Sequence, residues 1–570
     1  MFVEFHTIGW LWPEILLIAL ATYMYAACTF NRNRTWWSLY AILGYMLAAM
    51  ALFMQHWYRW DEFYPADGAP LISGPLVIDF LGQMFRWLAL LAGLLFTLIA
   101  SRTASRALAG EVLGTLMLLI AGLMLVAWAN ELVLLFVALE LISIPTYVLL
   151  FLGRRDRGSA EATAKYFFLS ILSSALLLYG FSFLYGMAGT TSLSEIRVAL
   201  SAASASDDAG GLSAFAPIAL VLIFAGLGFR MAAVPFHFYA PDVYQGTTNV
   251  NAGLLAVAPK IAGVVALVRL TAYALPSASE FAWQLSMALA MITMTIGNVC
   301  ALWQQNVRRL MAYSSIAHAG YMLIGLAVGL ATGLGGVAAM LFYLLVYVFA
   351  SLGTFAALAY LGSEERDVNE VEELAGLGST RPAAAAAIAA FMFSLAGIPP
   401  LAGFWGKFEL FSSAISLAAQ GGHSRMSFWF AVLAVVGALN AAIAAAYYLR
   451  VVAVMYFRPA VSTVSAAGGR GAQLAMVVCT LLVVCIGVVP GQAVRSAQMA
   501  EESTRLTPRP ARRISKSADA AGERPTFAES PAQANDPRIG AFAERWLWTG
   551  LRIEESPQPR VSDSRSLPLD

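Results

Sequence analysis

Three of the four lysines in this 570-residue chain, Lys165, Lys260 and Lys407, lie inside long apolar runs. Lys516 lies in a polar tail, and every other basic side chain apart from five histidines is an arginine. The choice is chemical. Arginine keeps its proton at any working pH, whereas a lysine removed from water can give it up once burial disfavours the charged form. Ionisable groups at membrane depth are costly and mark ion or proton paths by default. Glu140 joins them, in Ala138-Leu139-Glu140-Leu141-Ile142-Ser143-Ile144-Pro145. Pro145 leaves the carbonyl of Leu141 without its helical donor and loosens the helix beside the carboxylate. A carboxylate in that setting needs a cation, and Arg230 is the candidate. His237 and His318 could carry protons, since imidazole titrates near neutrality. The chemistry these residues allow is movement of protons or small cations across a membrane.

Each candidate has a bland alternative. Lys165, near the end of its apolar run, either snorkels to the interface or belongs to the path. His237 is either a satisfied helix-end histidine or a proton carrier. Lys260 and Lys407 cannot reach an interface from mid-span, which favours function. Glu131 lies about 13 Å along the helix from Glu140 and is expected at the membrane surface. Asp242 is expected to cap the chain as it restarts after a break, or to guide ions at the mouth.

The elements that must position these groups are membrane helices. The chain is 59% hydrophobic and 12% charged, with a mean hydropathy of +0.70. A span takes about 20 predominantly apolar residues. Fourteen segments meet that, at roughly 9–30, 36–56, 78–100, 110–128, 131–152, 164–187, 214–237, 249–271, 280–302, 310–330, 335–361, 383–419, 427–457 and 472–490. No cleavable signal peptide is expected, because Glu4, His6, Trp12 and Pro13 lead straight into a full-length apolar run. A net charge of +1 gives no hint of nucleic-acid binding. Cys28, Cys300, Cys479 and Cys485 have none of the spacings that hold clusters or zinc, and no dinucleotide or phosphate-loop motif occurs. Electrons, if any, travel elsewhere.

Arginines collect in the loops after odd-numbered spans, for example Arg32 and Arg34, Arg102 and Arg106, Arg154 and Arg157, Arg308 and Arg309, and Arg450 and Arg458. By the positive-inside rule those loops are cytoplasmic and both termini lie outside. Proline interrupts span seven at Val234-Pro235-Phe236-His237 and span twelve at Gly397-Ile398-Pro399-Pro400. Each is the fourth member of a five-span block, four to eight and nine to thirteen, and five being odd the blocks are inverted. Broken helices at matching places in inverted halves point to a transporter's ion path. The fold class expected is an all-α polytopic membrane protein with about fourteen transmembrane helices and two inverted five-helix repeats. The expected division is an N-terminal three-helix segment at 1–109, repeats at 110–272 and 279–457, and a last helix at 472–492. The polar tail, 493–570, is expected to be disordered, with one amphipathic stretch at Ala541–Ile553.

At Glu140-Leu141-Ile142-Ser143-Ile144-Pro145, Ala164-Lys165-Tyr166-Phe167, Pro241-Asp242-Val243-Tyr244-Gln245-Gly246, Ala258-Pro259-Lys260, Tyr313-Ser314-Ser315-Ile316-Ala317-His318 and Gly397-Ile398-Pro399-Pro400 through Lys407, the chain resembles a known family. It is the antiporter-like membrane subunits of proton-pumping NADH–quinone oxidoreductase (respiratory complex I), and the Asp242–Gly246 run looks most like the subunit N branch. The resemblance covers roughly 10–490. It implies a line of charges through the membrane midplane, in which Glu140, Lys260 and Lys407 match the glutamate of span five and the lysines of spans eight and twelve. His237 and His318 match histidines of shared motifs. Arg230 stands where the family usually has a lysine, as does Arg86 in span three. Thr247-Thr248-Asn249-Val250-Asn251 replaces a stretch that commonly contains proline.

The resemblance further implies proton translocation driven by quinone reduction in a neighbouring module. NADH, FMN, iron–sulfur clusters and quinone are then carried by partner subunits, none is bound in this chain, and the setting is the bacterial inner membrane. The leading rival is a subunit of a multi-subunit cation/proton antiporter. A structural spacer is disfavoured by midplane lysines in both halves, and a stand-alone enzyme by the lack of nucleophile, metal set or cofactor motif.

Overall fold

A computed structural model describes residues 5–510 apart from 59–69, 104, 155, 205–214, 277–278, 334, 364–366, 421–424, 461–465 and 506–508. Each expected apolar run is helical. Among the described residues eleven helices are long and apolar enough to cross a bilayer, and Trp12–Cys28, Ala216–Met231 and Pro382–Ala396 are shorter apolar helices. Spans seven and twelve are discontinuous. The former runs as Ala216–Met231 and Ala240–Gly246, the latter as Pro382–Ala396 and Ala402–Gln420.

Loop contacts sort the two ends of the bundle. After odd spans, Arg308 pairs with Asp367 at 3.1 Å and Arg154 with the same carboxylate at 3.4 Å; Arg458 pairs with Glu372. After even spans, Asn130 N donates to Pro75 O at 2.9 Å, and Leu193 N donates to Asn130 O at 2.8 Å. The arginine-rich loops thus gather at one end, as alternate crossing demands.

The polar run 247–251 acts as a fastener. Thr248 caps span eight by accepting from Asn251 N at 3.3 Å. Asn251 Nδ2 donates to Leu149 O at 2.7 Å, near the end of span five (Leu132–Gly153). Helix ends leave carbonyls unpartnered, and a side-chain amide supplies a donor that proline lacks.

The all-α class holds, and three local features go beyond the sequence expectations. In the loop before span three, Leu71–Ser73 and Leu76–Ile78 form an antiparallel hairpin with Leu71 opposite Ile78. Its two short apolar runs around the turn residues Gly74-Pro75 are a hairpin signal too brief to register beside the spans. The polar tail does not begin at 493. Gly491–Arg505 is a helix, and Glu501 within it accepts from the N–H groups of Gly335 and Ala338 at 3.0 and 3.2 Å, capping span eleven (Gly336–Leu361). A carboxylate at a helix N-terminus satisfies free donors and the helix dipole together. The stretch 541–553 lies outside the described residues. Finally, span eight (Asn249–Leu267) ends in a π-helical turn, Val268–Ala274.

Two fully buried ion pairs tie span one to span three, and the start of span three to the end of span eight. Arg86 Nε and Nη2 each donate to Glu14 at 2.7 Å, and its guanidinium stacks 3.6 Å from the Trp128 ring centroid. Arg269, in the π-helical turn, grips Asp79 with bonds of 2.5 and 2.7 Å. Removing one partner of such a pair leaves an uncompensated charge and costs about 3–5 kcal/mol. Arg86→Leu is therefore expected to lower the thermal unfolding midpoint sharply, and adding Glu14→Leu to recover most of the loss. Equal midpoints for the single variant and the parent protein, measured by fluorescence-detected melting, would contradict this.

Candidate functional site

Span ten (Val307–Thr332) carries the middle of the site. Lys260 Nζ, from span eight, donates to Ser315 Oγ at 2.8 Å and also to Ser315 O. Its ammonium lies 4.6 Å from the Tyr347 ring centroid. Tyr347 Oη in turn donates to the same Ser315 hydroxyl at 2.8 Å. One turn on, His318 has a tyrosine on each ring nitrogen, Tyr343 Oη at 2.6 Å from Nδ1 and Tyr448 Oη at 2.9 Å from Nε2. A hydroxyl can donate or accept, so the pair serves either tautomer and the doubly protonated ring alike. Tyr448 also bonds Ser314.

Lys407 lies on the far side. Its Nζ donates to Ala396 O at 2.9 Å and sits 4.9 Å from the Tyr321 ring centroid. The Tyr321 ring meets His318 edge-on at 5.9 Å. The break in span twelve creates this arrangement. Pro382–Ala396 ends at Gly397, whose φ of +90° glycine adopts freely. Ala396 is thus at the carbonyl end of a half-helix, where unpartnered oxygens and the helix dipole both favour a cation. Gly403 lets the second half-helix start close by, for a Cβ there would lie 1.7 Å from Ser394 O. Span seven repeats the device, since Ala216–Met231 also ends on a left-handed residue, Ala232 at φ 57°. Neither lysine pairs with a carboxylate among the described residues. Lys260 is 1% exposed, Lys407 4% and His318 2%.

The expected pair at span five is present. Arg230 Nη2 lies 3.0 Å from Glu140 Oε1, and Ser174 Oγ donates to the same oxygen at 2.5 Å. Arg230 is further held by Ser143 Oγ at 2.7 Å and Leu139 O at 3.2 Å. Its side chain is 3% exposed, that of Glu140 24%. The carboxylate is the looser partner.

Lys165 lies at the wet end of its span rather than in the interior. It is 40% exposed and pairs with Glu161 at 2.7 Å and Asp242 at 2.9 Å. Asp242 also accepts from Arg309 at 2.7 Å. These groups border an open cavity of about 460 Å³ lined by Arg154, Asp156, Glu161, Lys165, Asp242 and Gln245. Lys165 therefore belongs to a charged mouth at the arginine-rich end, and so does Asp242. His237 sits half-buried in the turn between the halves of span seven, apart from the tyrosine cluster. Glu131 precedes span five and accepts from Thr191 Oγ1 at 2.9 Å, at the bundle's other end.

The sequence reading missed the tyrosines. Tyr343, Tyr347 and Tyr448 sit in apolar helices at spacings that read as core, and only the fold brings them to His318.

The comparisons with known proteins bear on what this arrangement serves. Residues 129–450 match a family described as NADH:quinone oxidoreductase/Mrp antiporter, transmembrane. NADH-quinone oxidoreductase subunit N of Trichlorobacter lovleyi is 38% identical over 454 residues, covering 78% of this chain and 87% of that one. The chain belongs to the subunit N family. The subunit N of Rhodospirillum rubrum is 35% identical and is covered over 96% of its length, 86% of this chain. Among solved structures, a chain of respiratory complex I from Thermus thermophilus with bound Aureothin aligns with a TM-score of 0.68 at 31% identity, over 85% of this chain and 99% of that one. A chain of the Mrp complex from Dietzia sp. aligns with a TM-score of 0.73, covering 86% of this chain and 97% of that one; at 19% identity it shares the fold.

Within this family member, the close approach at Gly403 governs where Lys407 sits. Gly403→Val is expected to push the half-helices of span twelve apart and lower the melting temperature by several degrees, because Ser394 O occupies the space of any Cβ. An unaltered melt would show that the break is not packed as described.

Proposed function

We propose that the chain is the proton-translocating membrane subunit of an NADH-quinone oxidoreductase, coupling quinone reduction elsewhere in the complex to proton transfer through buried side chains. One observation supports the reading: two buried lysines, without carboxylate partners among the described residues, flank His318, which has a tyrosine hydroxyl on each ring nitrogen. The redox groups belong to partner subunits, and this chain contributes no redox step. We read 110–272 and 279–457 as the inverted halves, joined to the three-helix segment 1–109. The arginine-rich end faces the cytoplasm and both termini the periplasm, in a bacterial inner membrane.

In this reading protons enter at the mouth formed by Asp242, Lys165 and Arg309, with His237 in the adjoining break. Lys260 takes up the proton, and Ser315, Tyr347, His318 and Tyr448 relay it towards Lys407. The driving input is electrostatic. A cation held by neutral oxygens alone is sensitive to any change in nearby charge. Moving one proton against 100 mV takes about 2.3 kcal/mol, and a one-unit change in proton affinity is worth about 1.4 kcal/mol. Opening and closing the Glu140–Arg230 pair is of the right order to supply it. Arg230 acts there as a fixed counter-charge, because a guanidinium does not release its proton. The antiporter rival shares the fold, and subunits co-purifying with the chain discriminate the two.

Lys260→Ala and Lys407→Ala, each in the reconstituted complex, are expected to cut proton pumping at least tenfold; unchanged pumping in both would remove the proposal. Arg230→Lys bears on the counter-charge separately. It is expected to leave pumping equal or lower, so a large gain would show that this position cycles a proton.

A further inference from the structure

Two residues beyond Lys407, span twelve carries an ionisable group that the relay leaves unused. Glu409 lies in the half-helix Ala402–Gln420, about 10 Å along its axis from the start and close to the depth of Lys407. Two residues turn a helix by about 200°, so it points the opposite way. Lys407, Leu410, Ala414 and Leu417 are buried, whereas Phe408 is 50% and Ile415 56% exposed. Glu409, about 100° of helix turn from Phe408, is half-buried on the flank between the buried and the exposed sides. Its carboxylate makes no ion pair or hydrogen bond among the described residues, and only its backbone carbonyl accepts, from Ser412 Oγ at 3.2 Å.

The same side carries Ser412, Ser413 and Ser416 at the third, fourth and seventh positions after Glu409. Ser412 Oγ and Ser413 Oγ bond back to Glu409 O and Leu410 O at 3.2 and 2.9 Å, and Ser416 is exposed, so the stripe presents small side chains. Ala402–Gln420, although 19 residues long, is not among the helices apolar enough to cross a bilayer. Hydrocarbon cannot solvate a carboxylate, and small residues let a second helix come close.

We propose that this outward face of span twelve docks a transmembrane helix of a neighbouring membrane subunit, which presents a cationic side chain to Glu409. The inference rests on reading the chain as one subunit of a larger membrane complex. Charge complementarity selects the occupant. A lipid headgroup does not reach, since Glu409 lies about 16 Å of helix from Gln420. A second copy in a two-fold arrangement sets one carboxylate against another.

The test uses the intact complex in a background with Cys28, Cys300, Cys479 and Cys485 replaced by alanine. Ser416→Cys is expected to react with a lipid-soluble maleimide at least tenfold more slowly in the native complex than after denaturation in detergent. Glu409→Lys is expected to reduce the neighbouring membrane subunit co-purifying with this chain about tenfold, and Glu409→Gln to reduce it much less. Rapid native labelling of Ser416→Cys, or full retention of all subunits in Glu409→Lys, overturns the docking. If the chain purifies without any other membrane subunit, the reading as a complex subunit fails and the docking with it. If the complex is intact and pumps protons while Ser416→Cys reacts freely, the docking alone fails.

Discussion

Two ammonium groups held in the bundle interior by neutral oxygens and aromatic faces set the terms for the rest of this structure. Lys260 has one serine and a tyrosine ring, and Lys407 has one main-chain carbonyl and another ring. Taking a charge out of water costs several kcal/mol even after relaxation. The protein lowers that cost with dipoles rather than with opposite charge. It ends a half-helix at Ala396 and brings its carbonyl to Lys407. The arrangement tolerates a proton without trapping it, which a carboxylate would do.

The buried arginines are treated in the opposite way. Arg86 and Arg269 each meet a carboxylate in two hydrogen bonds, with additional main-chain acceptors at Trp10 and Ala127. Bidentate pairs of this kind fix geometry, and both bind elements far apart in sequence. Glu501 does similar work without a buried cation, tying the helix after span fourteen to the start of span eleven. Span eleven bears Tyr343 and Tyr347, so this cap helps hold in register the tyrosines that bond His318 and Ser315.

What could be read from sequence follows from how local each signal is. Twenty apolar residues in a row announce a span, and proline announces a break, because both effects act within one or two turns. Lys260, Lys407 and Arg230 stood out for the same reason: charge inside an apolar run is visible without a fold. The Glu14–Arg86 and Asp79–Arg269 pairs were not legible, since their partners lie 72 and 190 residues apart. Tyrosines are equally at home in a core, so nothing local marked Tyr448 as a ligand of His318. Gly491–Arg505 read as tail because its composition is polar, yet Ala497, Ala500 and Glu501 are buried by packing on the bundle. For Lys165 hydropathy could not decide between interface and path, because it cannot tell a side chain facing the core from one facing a wet mouth.

The Glu140–Arg230 pair bears on which partner can move. Arg230 is held by Ser143 and Leu139 as well as by the carboxylate, and is almost wholly enclosed. Glu140 has only Arg230 and Ser174 among the described residues, on the more exposed side of the pair. Closed, the pair is a dipole whose field falls off quickly. Open, it leaves a net positive charge near span eight, where Gly263 packs against Arg230 one turn from Lys260. Displacing the carboxylate is therefore the smaller structural change with the larger electrostatic effect on Lys260. A lysine in place of Arg230 could answer the loss of its partner by shedding its proton, which would erase the signal. Arginine cannot, so in the proposed mechanism a displaced Glu140 leaves the full charge of Arg230 uncompensated.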